Sequence, residues 1–334
     1  MGEQVTSRRR TFLWVLVAVL SALVLGFYSI NSGQTTAVLA GTVRAATLLV
    51  LGAICGMICE RSGIVNIGIE GQFLLAAFSA FTVTSLTGSL ALGVFAGIAT
   101  GLVLGWCLAA MAVGLKVDQI IAGTVINIAA IGLTSFFYDR SRSLGVGKYS
   151  PIELGSLADI PLIGRVFFSR PLLTYVTICL VVLVHIAMFR SVWGMRTRAI
   201  GEHPGAADTV GIKVLRLRYF NATLAGGFAG FGGAYLALEA VGAFSRNMSG
   251  GRGFLALAVM IFGRRTPYGA YAAALFFGFA TALQNQFQLN STFDIPTQFV
   301  GMLPYVVTIV VVALSGLFGS MRDPAALGQT YEKS

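Results

Sequence analysis

Long apolar runs are the feature that most constrains what this chain can fold into. Runs of roughly 18 or more apolar residues are long enough to cross a bilayer as helices. Such runs occupy residues 11–30, 36–59, 69–87, 88–113, 118–137, 171–190, 219–241, 268–288 and 298–318. A shorter run at 254–262 follows a glycine-rich leader and is predicted to be a broken or re-entrant segment. The pattern predicts an all-α polytopic membrane protein with about ten membrane segments.

The composition indicates that lipid is the solvent for most of the chain. Of the 334 residues, 56% are hydrophobic and 11% are charged, and the mean hydropathy is +0.82. A soluble domain carries about 25% charged residues. The formal net charge is +10, but the basic residues fall between apolar runs and form no continuous stripe. This distribution favours an orientation signal for a lipid-embedded protein over a nucleic-acid surface.

The basic residues also predict which side of the membrane each connection faces. With the N-terminus inside, most of the 23 lysine and arginine residues fall on the inner side. Both termini are then expected in the cytoplasm. The predicted regions are a cytoplasmic N-terminus with the first membrane helix (1–35), a transmembrane domain (36–318) and a cytoplasmic tail (319–334). Within the domain, 138–170 is expected outside and 190–218 inside.

One polar, glycine-rich stretch, ERSGIVNIGIEGQ at residues 60–72, separates two apolar runs. Irregular backbone at membrane depth persists only where protein buries it or where it lines a wet cavity. The predicted path is a helix that ends near Glu60, turns at Ser62 and Gly63, and restarts near Asn66. Ionisable groups at this depth are usually functional. The side chains predicted to meet a polar solute are Glu60, Ser62, Asn66, Glu70 and Gln72.

A second stretch, RNMSGGRGF at residues 246–254, interrupts the other half of the chain. In the predicted topology the two stretches enter from opposite sides, which is typical of the solute path of a transporter built on an inverted repeat. Arg252 and Phe254 are therefore further path candidates, and Asn127 is a mid-helix candidate that would equally suit an interhelical hydrogen bond. Ordinary interhelical loops with headgroup charges remain the alternative for both stretches.

A polar cluster at residues 284–288 is predicted at an outer helix end. It contains Gln284, Asn285, Gln286 and Gln288. Interface anchoring and solute contact are equally consistent with these side chains.

A short helix is predicted in the inner connection, within GEHPGAADTVGI at residues 201–212. Pro204 suits the first position of a helix, and Gly211 suits its end. Between them lie about two turns, centred on Ala206 and Ala207, which are unstable alone in water. This helix therefore needs a partner surface. From the residues alone, another protein and the membrane surface are equally consistent as that partner surface.

The sequence predicts no catalytic residues. It contains no G-x-x-x-x-G-K-[ST] phosphate loop and no H-E-x-x-H pattern, and it has only two histidines. Its four cysteines all lie in apolar runs, where buried small hydrophobic residues are expected and no metal site is. No cofactor is expected. The absence of the phosphate loop leaves the energy source open, and a carrier driven by an ion gradient is one possibility.

The stretch at 60–72 resembles the signature of permease subunits of bacterial ABC importers, in the superfamily of branched-chain amino-acid and simple-sugar permeases. It is similar to the nucleoside-type branch of that superfamily. The resemblance runs from about residue 36 to the C-terminus. The other stretches that carry it are 201–207, 251–256, 261–264, 302–305 and 323–328.

The resemblance implies a translocation path for nucleosides or related ribosides across a bacterial inner membrane, with a simple-sugar permease as the alternative. It implies three partners: an ATPase subunit that binds the ATP, a second permease subunit in a heterodimer, and an extracytoplasmic solute-binding protein of basic-membrane-protein type. It also implies that the helix at 202–212 is a coupling helix that docks on the ATPase. Its coupling residues would be Glu202, Pro204, Ala206, Ala207, Gly211 and Ile212.

Overall fold

The computed structural model describes residues 31–139, 143–153, 155–162, 164–289 and 323–332, together with residues 301, 302, 306 and 309. The predicted membrane helix at 11–30 and most of the one at 298–318 lie outside these residues. In the described part of the chain the helices are α1 (Ser32–Arg61), α2 (Ile69–Thr87), α3 (Leu90–Ala109), α4 (Gln119–Phe137), α5 (Leu172–Arg190), α6 (Val192–Glu202), α7 (Pro204–Thr209), α8 (Val214–Tyr235), α9 (Arg252–Phe262) and α10 (Pro267–Leu289). A π-helical turn extends α3 to Gly114, and another extends α8 to Val241.

Six of the described helices are long and apolar enough to cross a membrane by length and composition: α1, α2, α3 and α8 (the last two with their extensions), α4 and α5. The chain is therefore predominantly helical and multi-pass, as the apolar runs predict. The boundaries agree closely, since the run at 69–87 coincides with α2 and the short run at 254–262 lies in α9. A two-residue antiparallel strand pair, β1 (Ile152–Glu153) and β2 (Ser169–Arg170), interrupts the helical pattern in the long connection before α5.

Helix α1 is the centre of the fold. It is buried without interruption from Ala46 to Glu60. A helix that is apolar on all faces is expected inside a bundle and not on its surface. Asn31 caps its start by accepting a hydrogen bond from the Gln34 N–H at 3.2 Å. Helices α8, α9, α10 and α5 pack around it.

Helices α3 and α8 pack backbone to backbone through facing small residues. These are Gly97, Gly101 and Gly105 on α3, and Ala222, Gly226 and Gly230 on α8. A Cβ atom on Gly101 would lie 2.2 Å from the carbonyl oxygen of Gly226. In lipid, small residues at four-residue spacing allow helices to approach closely enough for dispersion and backbone contacts to hold them together.

The two ends of the bundle differ. The end formed by residues 143–170 is termed the loop end here, and there the buried Arg170 guanidinium donates to the carbonyls of Val166, Arg165 and Ala40. The opposite end carries α6, α7 and residues 323–332, and is termed the tail end. Helix α1 runs from the loop end to the tail end.

The turn between α1 and α2 differs from the prediction in one respect. The second helix begins at Ile69 and not near Asn66. The Asn66 Oδ1 accepts a hydrogen bond from the Gly68 N–H at 3.0 Å, and such a side-chain bond stabilises a turn in competition with helix. The predicted turn at Gly63 is present, with φ +85°, and a Cβ there would lie 2.6 Å from Arg218 Nη2.

Candidate functional site

The two glycine-rich interruptions meet inside the bundle at Glu70. This residue is the second of α2, and its carboxylate accepts hydrogen bonds from the N–H groups of Gly251 at 2.7 Å and Gly253 at 2.6 Å, at the start of α9. The first N–H groups of a helix have no intrahelical acceptor. A carboxylate near them is also favoured by the helix dipole, and Glu70 is in the first turn of its own helix as well. Glu70 therefore joins the N-termini of both broken helices.

The contact at this junction is close because glycine occupies it. A Cβ on Gly253 would lie 2.4 Å from the backbone nitrogen of Glu70, and Gly251 has φ +80°, in the left-handed region. Helix α9 then runs alongside α1, where a Cβ on Gly52 would lie 2.6 Å from the Cβ of Ala256. Gly52 is nine residues before Arg61, or roughly 14 Å at 1.5 Å per residue. The junction thus lies well inside the bundle.

Asn66 and Gln72 form a buried pair beside this junction. The Asn66 Nδ2 donates to Gln72 Oε1 at 3.2 Å, and the Cys55 thiol of α1 lies 3.6 Å from the same oxygen. Both amide side chains are fully buried, and Gln72 Nε2 has no hydrogen-bond partner among the described residues. These two path candidates therefore contact protein and do not line an open cavity.

Side-chain amides of α4 satisfy the irregular backbone between α1 and α2. Asn127 accepts from the Gly71 N–H at 2.7 Å and donates to the Ile67 carbonyl at 3.1 Å, while Gln119 accepts from the Val65 N–H at 2.7 Å. Backbone polar groups at this depth require such partners. Gln119 was missed in the sequence. The sequence feature that indicates its role is its position two helical turns before Asn127, on the same face of the helix.

Glu60 lies in an ion cluster at the tail end. Its Oε2 is 2.5 Å from Arg265 Nε, and Arg265 Nη2 is 2.6 Å from Asp323 Oδ1. The Arg61 guanidinium also donates to the Arg265 carbonyl, at 3.2 Å. Arg264 and Arg265 both have positive φ, a conformation that non-glycine residues adopt only when surrounding contacts hold them there. Glu60 therefore anchors the turn that follows α9.

Ser62 is also held at the tail end. Its hydroxyl donates to the Cys59 carbonyl at 2.7 Å, and its carbonyl accepts from the buried Arg218 Nε at 3.1 Å. Of the path candidates, Glu60 and Ser62 are thus near the tail end, while Asn66, Glu70 and Gln72 surround the junction.

A cavity of about 450 Å³ opens at the loop end of the bundle, between α1, α8, α9 and α10. This volume falls within the usual range for small-molecule sites, about 300–1,000 Å³. Its polar side chains are Arg44, Tyr235, Arg252, Thr281, Gln284 and Asn285. No described lining residue carries a carboxylate. The cavity therefore offers many hydrogen-bond donors in a positively charged setting.

The second interruption borders this cavity directly. Gly250 and Arg252 line it, and their neighbours Gly251 and Gly253 donate hydrogen bonds to the Glu70 carboxylate. Among the sequence-predicted candidates, Arg252 reaches the cavity, as do Gln284 and Asn285 of the polar cluster. Phe254 does not line it, and its side chain is half exposed on the outside of α9.

Arg44 was missed as a cavity residue in the sequence. It lies inside an apolar run, where a lone arginine is energetically costly. That cost is the sequence feature that indicates a functional position. Arg44 also lines a smaller adjoining cavity of about 150 Å³ with Lys148 and Glu239. There the buried Glu239 carboxylate accepts from the Leu173 N–H at 2.8 Å and the Thr174 hydroxyl at 2.5 Å. Glu239 thus caps α5 in the way that Glu70 caps α9.

The predicted short helix of the inner connection is present as α7, with Pro204 at its first position. Gly211, which follows it, has φ +84° as a helix stop requires. Ala207 is buried against an apolar cluster, whereas Ala206 faces outward and Val210 is 76% exposed. The outward surface of α7 therefore presents small residues, Gly205 and Ala206, beside the polar Asp208 and Thr209.

The family described as "branched-chain amino acid transport system / permease component" matches residues 38–312. The chain belongs to this permease family. It is therefore the membrane component of an ABC importer and not an enzyme, and ATP hydrolysis belongs to a separate ATPase subunit. The resemblance seen at residues 60–72 is confirmed.

Curated relatives cover nearly the whole permease. The guanosine ABC transporter permease protein NupQ of Bacillus subtilis is 36% identical over 307 residues, which are 87% of this chain and 95% of the relative. The nucleoside ABC transporter permease protein NupC of Lactococcus lactis is 35% identical, over 89% of this chain and 97% of its own length. A putative glucose ABC transporter permease protein of Haloferax volcanii is 33% identical, over 87% and 96% respectively.

Proposed function

We propose that this permease imports nucleosides or related ribosides, and that its solute path passes through the cavity lined by Arg44 and Arg252. The observation that carries the proposal is the chemistry of that lining: two guanidinium groups, two amides and two hydroxyls, with no carboxylate among the described residues. Two relatives with nucleoside or guanosine in their names support the same solute class.

The lining suits a solute rich in hydrogen-bond acceptors. A nucleobase presents ring nitrogens and carbonyl oxygens, and a guanidinium presents a rigid fork of donors to such groups. Amides such as Gln284 and Asn285 both donate and accept, so they match ribose hydroxyls. Two positive charges disfavour cationic solutes. A simple sugar is the second candidate, because one relative is named as a putative glucose permease.

The predicted path residues serve this path indirectly in the proposal. Glu70 caps α9 and thereby sets the position of Arg252 at the cavity. Asn66, Gln72 and Asn127 support the broken backbone on the other side of the junction. Glu60 and Ser62 hold the turns at the tail end, and the exposed Phe254 faces lipid or a second permease subunit.

The proposed topology has about ten membrane segments in an inverted repeat. Its support is that α1 with α2, and α8 with α9, bring their interruptions to one junction from opposite ends of the bundle. In this topology the tail end and both termini face the cytoplasm of a bacterium. The proposed regions are those predicted from the sequence, 1–35, 36–318 and 319–334. The connection at 138–170 faces the solute-binding protein, proposed to be of basic-membrane-protein type.

The proposed assembly is a heterodimer of this permease with a paralogue, driven by the ATPase. Uptake by the purified complex in proteoliposomes, with its binding protein and a panel of nucleosides and sugars, tests the function. Nucleoside uptake should require ATP. Uptake of solute by the chain alone, driven by a proton or sodium gradient, would replace the ABC mechanism with a carrier.

Replacing Arg252 with alanine should lower nucleoside uptake about tenfold or more, because a hydrogen bond to a charged group contributes about 1.5–3 kcal/mol. Initial uptake rates in proteoliposomes measure this. Arg246→Ala is the matched control, because Arg246 lies in the same connection, is exposed and makes one long contact of 3.5 Å to the Ser135 carbonyl. Equal rates for the two variants would show that the cavity is not the path.

Replacing Ala206 with tryptophan should abolish docking of the ATPase on α7. The exposed indole would occupy the surface that the ATPase must approach, and losing 1.4 kcal/mol of docking energy already weakens binding about tenfold. Copurification of the ATPase and ATP-driven uptake measure the effect, with Ala206→Ser as the small control. Undiminished copurification would remove α7 as the coupling helix. Ala207→Trp would not separate docking from folding, since Ala207 is buried.

A further inference from the structure

Residues 323–332 lie against the tail end of the bundle as an extended segment with turns, and they are termed the tail brace here. Asp323 at one end of the brace pairs with Arg265, in the turn that follows α9, at 2.6 Å. Arg265 in turn pairs with Glu60 of α1. The start of the brace is thus fixed to the turn in which one broken helix ends.

The middle of the brace is bonded to the turn that precedes the other broken helix. The Gly328 N–H donates to the Gly63 carbonyl at 3.1 Å. Arg218, which is 2% exposed, donates from Nε to the Ser62 carbonyl and from Nη1 to the Gln329 carbonyl, at 3.1 and 3.0 Å. A buried guanidinium that bonds two backbone segments fixes their relative position, because each loses a charged partner if they separate.

The same segment also contacts the end of α6 and the core beneath α7. The Ala326 N–H donates to the Gly201 carbonyl at 2.9 Å, and the Ala325 N–H donates to Glu202 Oε2 at 3.3 Å. Farther along, Tyr331 packs against a small apolar cluster that is separate from the main core. Its buried members are Ile200, Ala207 and Val214. Ala207 is the inward-facing residue of α7, so the brace reaches the coupling helix itself.

We propose that the tail brace transmits movement of α7 to the two broken helices. It connects the core beneath α7 to the turn before α2 and to the turn after α9, the two helices that meet at Glu70. A displacement of α7 by the ATPase would therefore shift both turns together and change the junction that borders the cavity. The inference rests on the proposed function for the direction of solute movement, but its contacts are independent of the solute.

The test compares Tyr331→Ala with Tyr331→Phe in the reconstituted importer complex. Alanine removes the packing against the cluster under α7, while phenylalanine keeps it. The measured quantity is the number of solute molecules imported per ATP hydrolysed.

For Tyr331→Ala we expect ATPase binding and ATP hydrolysis to be retained while import per ATP falls at least about fivefold, at the lower end of typical coupling between sites. Tyr331→Phe keeps the ring against the cluster but loses the hydroxyl that lies beside Asp208 of α7, so its import per ATP should lie between those of Tyr331→Ala and the unaltered complex. Unchanged import per ATP in Tyr331→Ala would overturn the proposal, and so would loss of ATPase binding, since the brace would then be a docking element. An unaltered complex that imports glucose and no nucleoside would overturn the proposed solute alone, and the same ratio would then be measured with glucose.

Discussion

Replacing Glu70 with alanine is expected to destabilise the permease by about 3–6 kcal/mol, because two hydrogen bonds to a charged acceptor each contribute about 1.5–3 kcal/mol. The variant leaves the N–H groups of Gly251 and Gly253 without their acceptor at a site where the Glu70 side chain is 7% exposed. Helix α9 would lose its cap, and Arg252 its fixed position at the cavity. Thermal stability of the purified permease and ATP-driven uptake measure the two effects.

Glu70→Gln separates the charge from the acceptor geometry. It keeps one carbonyl oxygen but directs an NH₂ group toward the other backbone donor, so its stability should lie between those of the unaltered permease and Glu70→Ala. Glu202→Ala is the matched control for thermal stability alone, since its exposed carboxylate accepts an N–H at 3.3 Å and should contribute under about 1 kcal/mol. If Glu70→Ala and Glu202→Ala had the same melting temperature, the Glu70 carboxylate would not be holding the two broken helices together.

Replacing Gly101 with alanine should separate α3 from α8 and destabilise the permease by about 3 kcal/mol, the upper end of the usual cost of overpacking. The added Cβ would lie 2.2 Å from the Gly226 carbonyl oxygen and 2.5 Å from the Gly230 Cα, and both are backbone atoms that cannot rotate away. The higher helix propensity of alanine, about 1 kcal/mol, offsets only part of this cost. Thermal stability and the yield of monodisperse protein measure the loss.

Gly132→Ala is the control for this change. Gly132 is also inside a membrane helix, α4, but nothing lies within 4 Å of the position that its Cβ would occupy. This variant gains the propensity of alanine without a clash, so its stability should be unchanged or slightly higher. Equal melting temperatures for the two alanine variants would mean that α3 and α8 are not in backbone contact.

The helices could be predicted from the sequence because every span needs an apolar run long enough to cross the membrane. The run at 69–87 and the helix α2 coincide for that reason, and Pro204 and Gly211 delimit α7 because their backbone preferences are intrinsic. The positions of both interruptions were predicted as well. Glycine and ionisable side chains are costly at that depth, so their presence in an apolar sequence is informative without any tertiary contact.

The partners of those side chains could not be predicted. Glu70 bonds to residues more than 180 positions away in the sequence, and its carboxylate could equally have faced a solute. Helix α2 begins at Ile69 and not near Asn66, as was predicted, because the Asn66 side chain accepts a hydrogen bond from the Gly68 N–H. Such choices depend on which donors lie nearby, and this is decided only when the helices have packed.

The sequence by itself thus determined that this is a multi-pass helical membrane protein, where its helices break, and that it resembles the ABC importer permeases. The tertiary structure alone decided that the two breaks meet at one carboxylate, that Arg44 and Arg252 share a cavity, and that residues 323–332 connect α7 to both broken helices. The physical reason is the distance along the sequence over which the deciding interactions act. Span length, helix ends and glycine turns follow from local backbone energetics and burial, whereas the site depends on small-residue surfaces that bring distant segments into hydrogen-bonding distance.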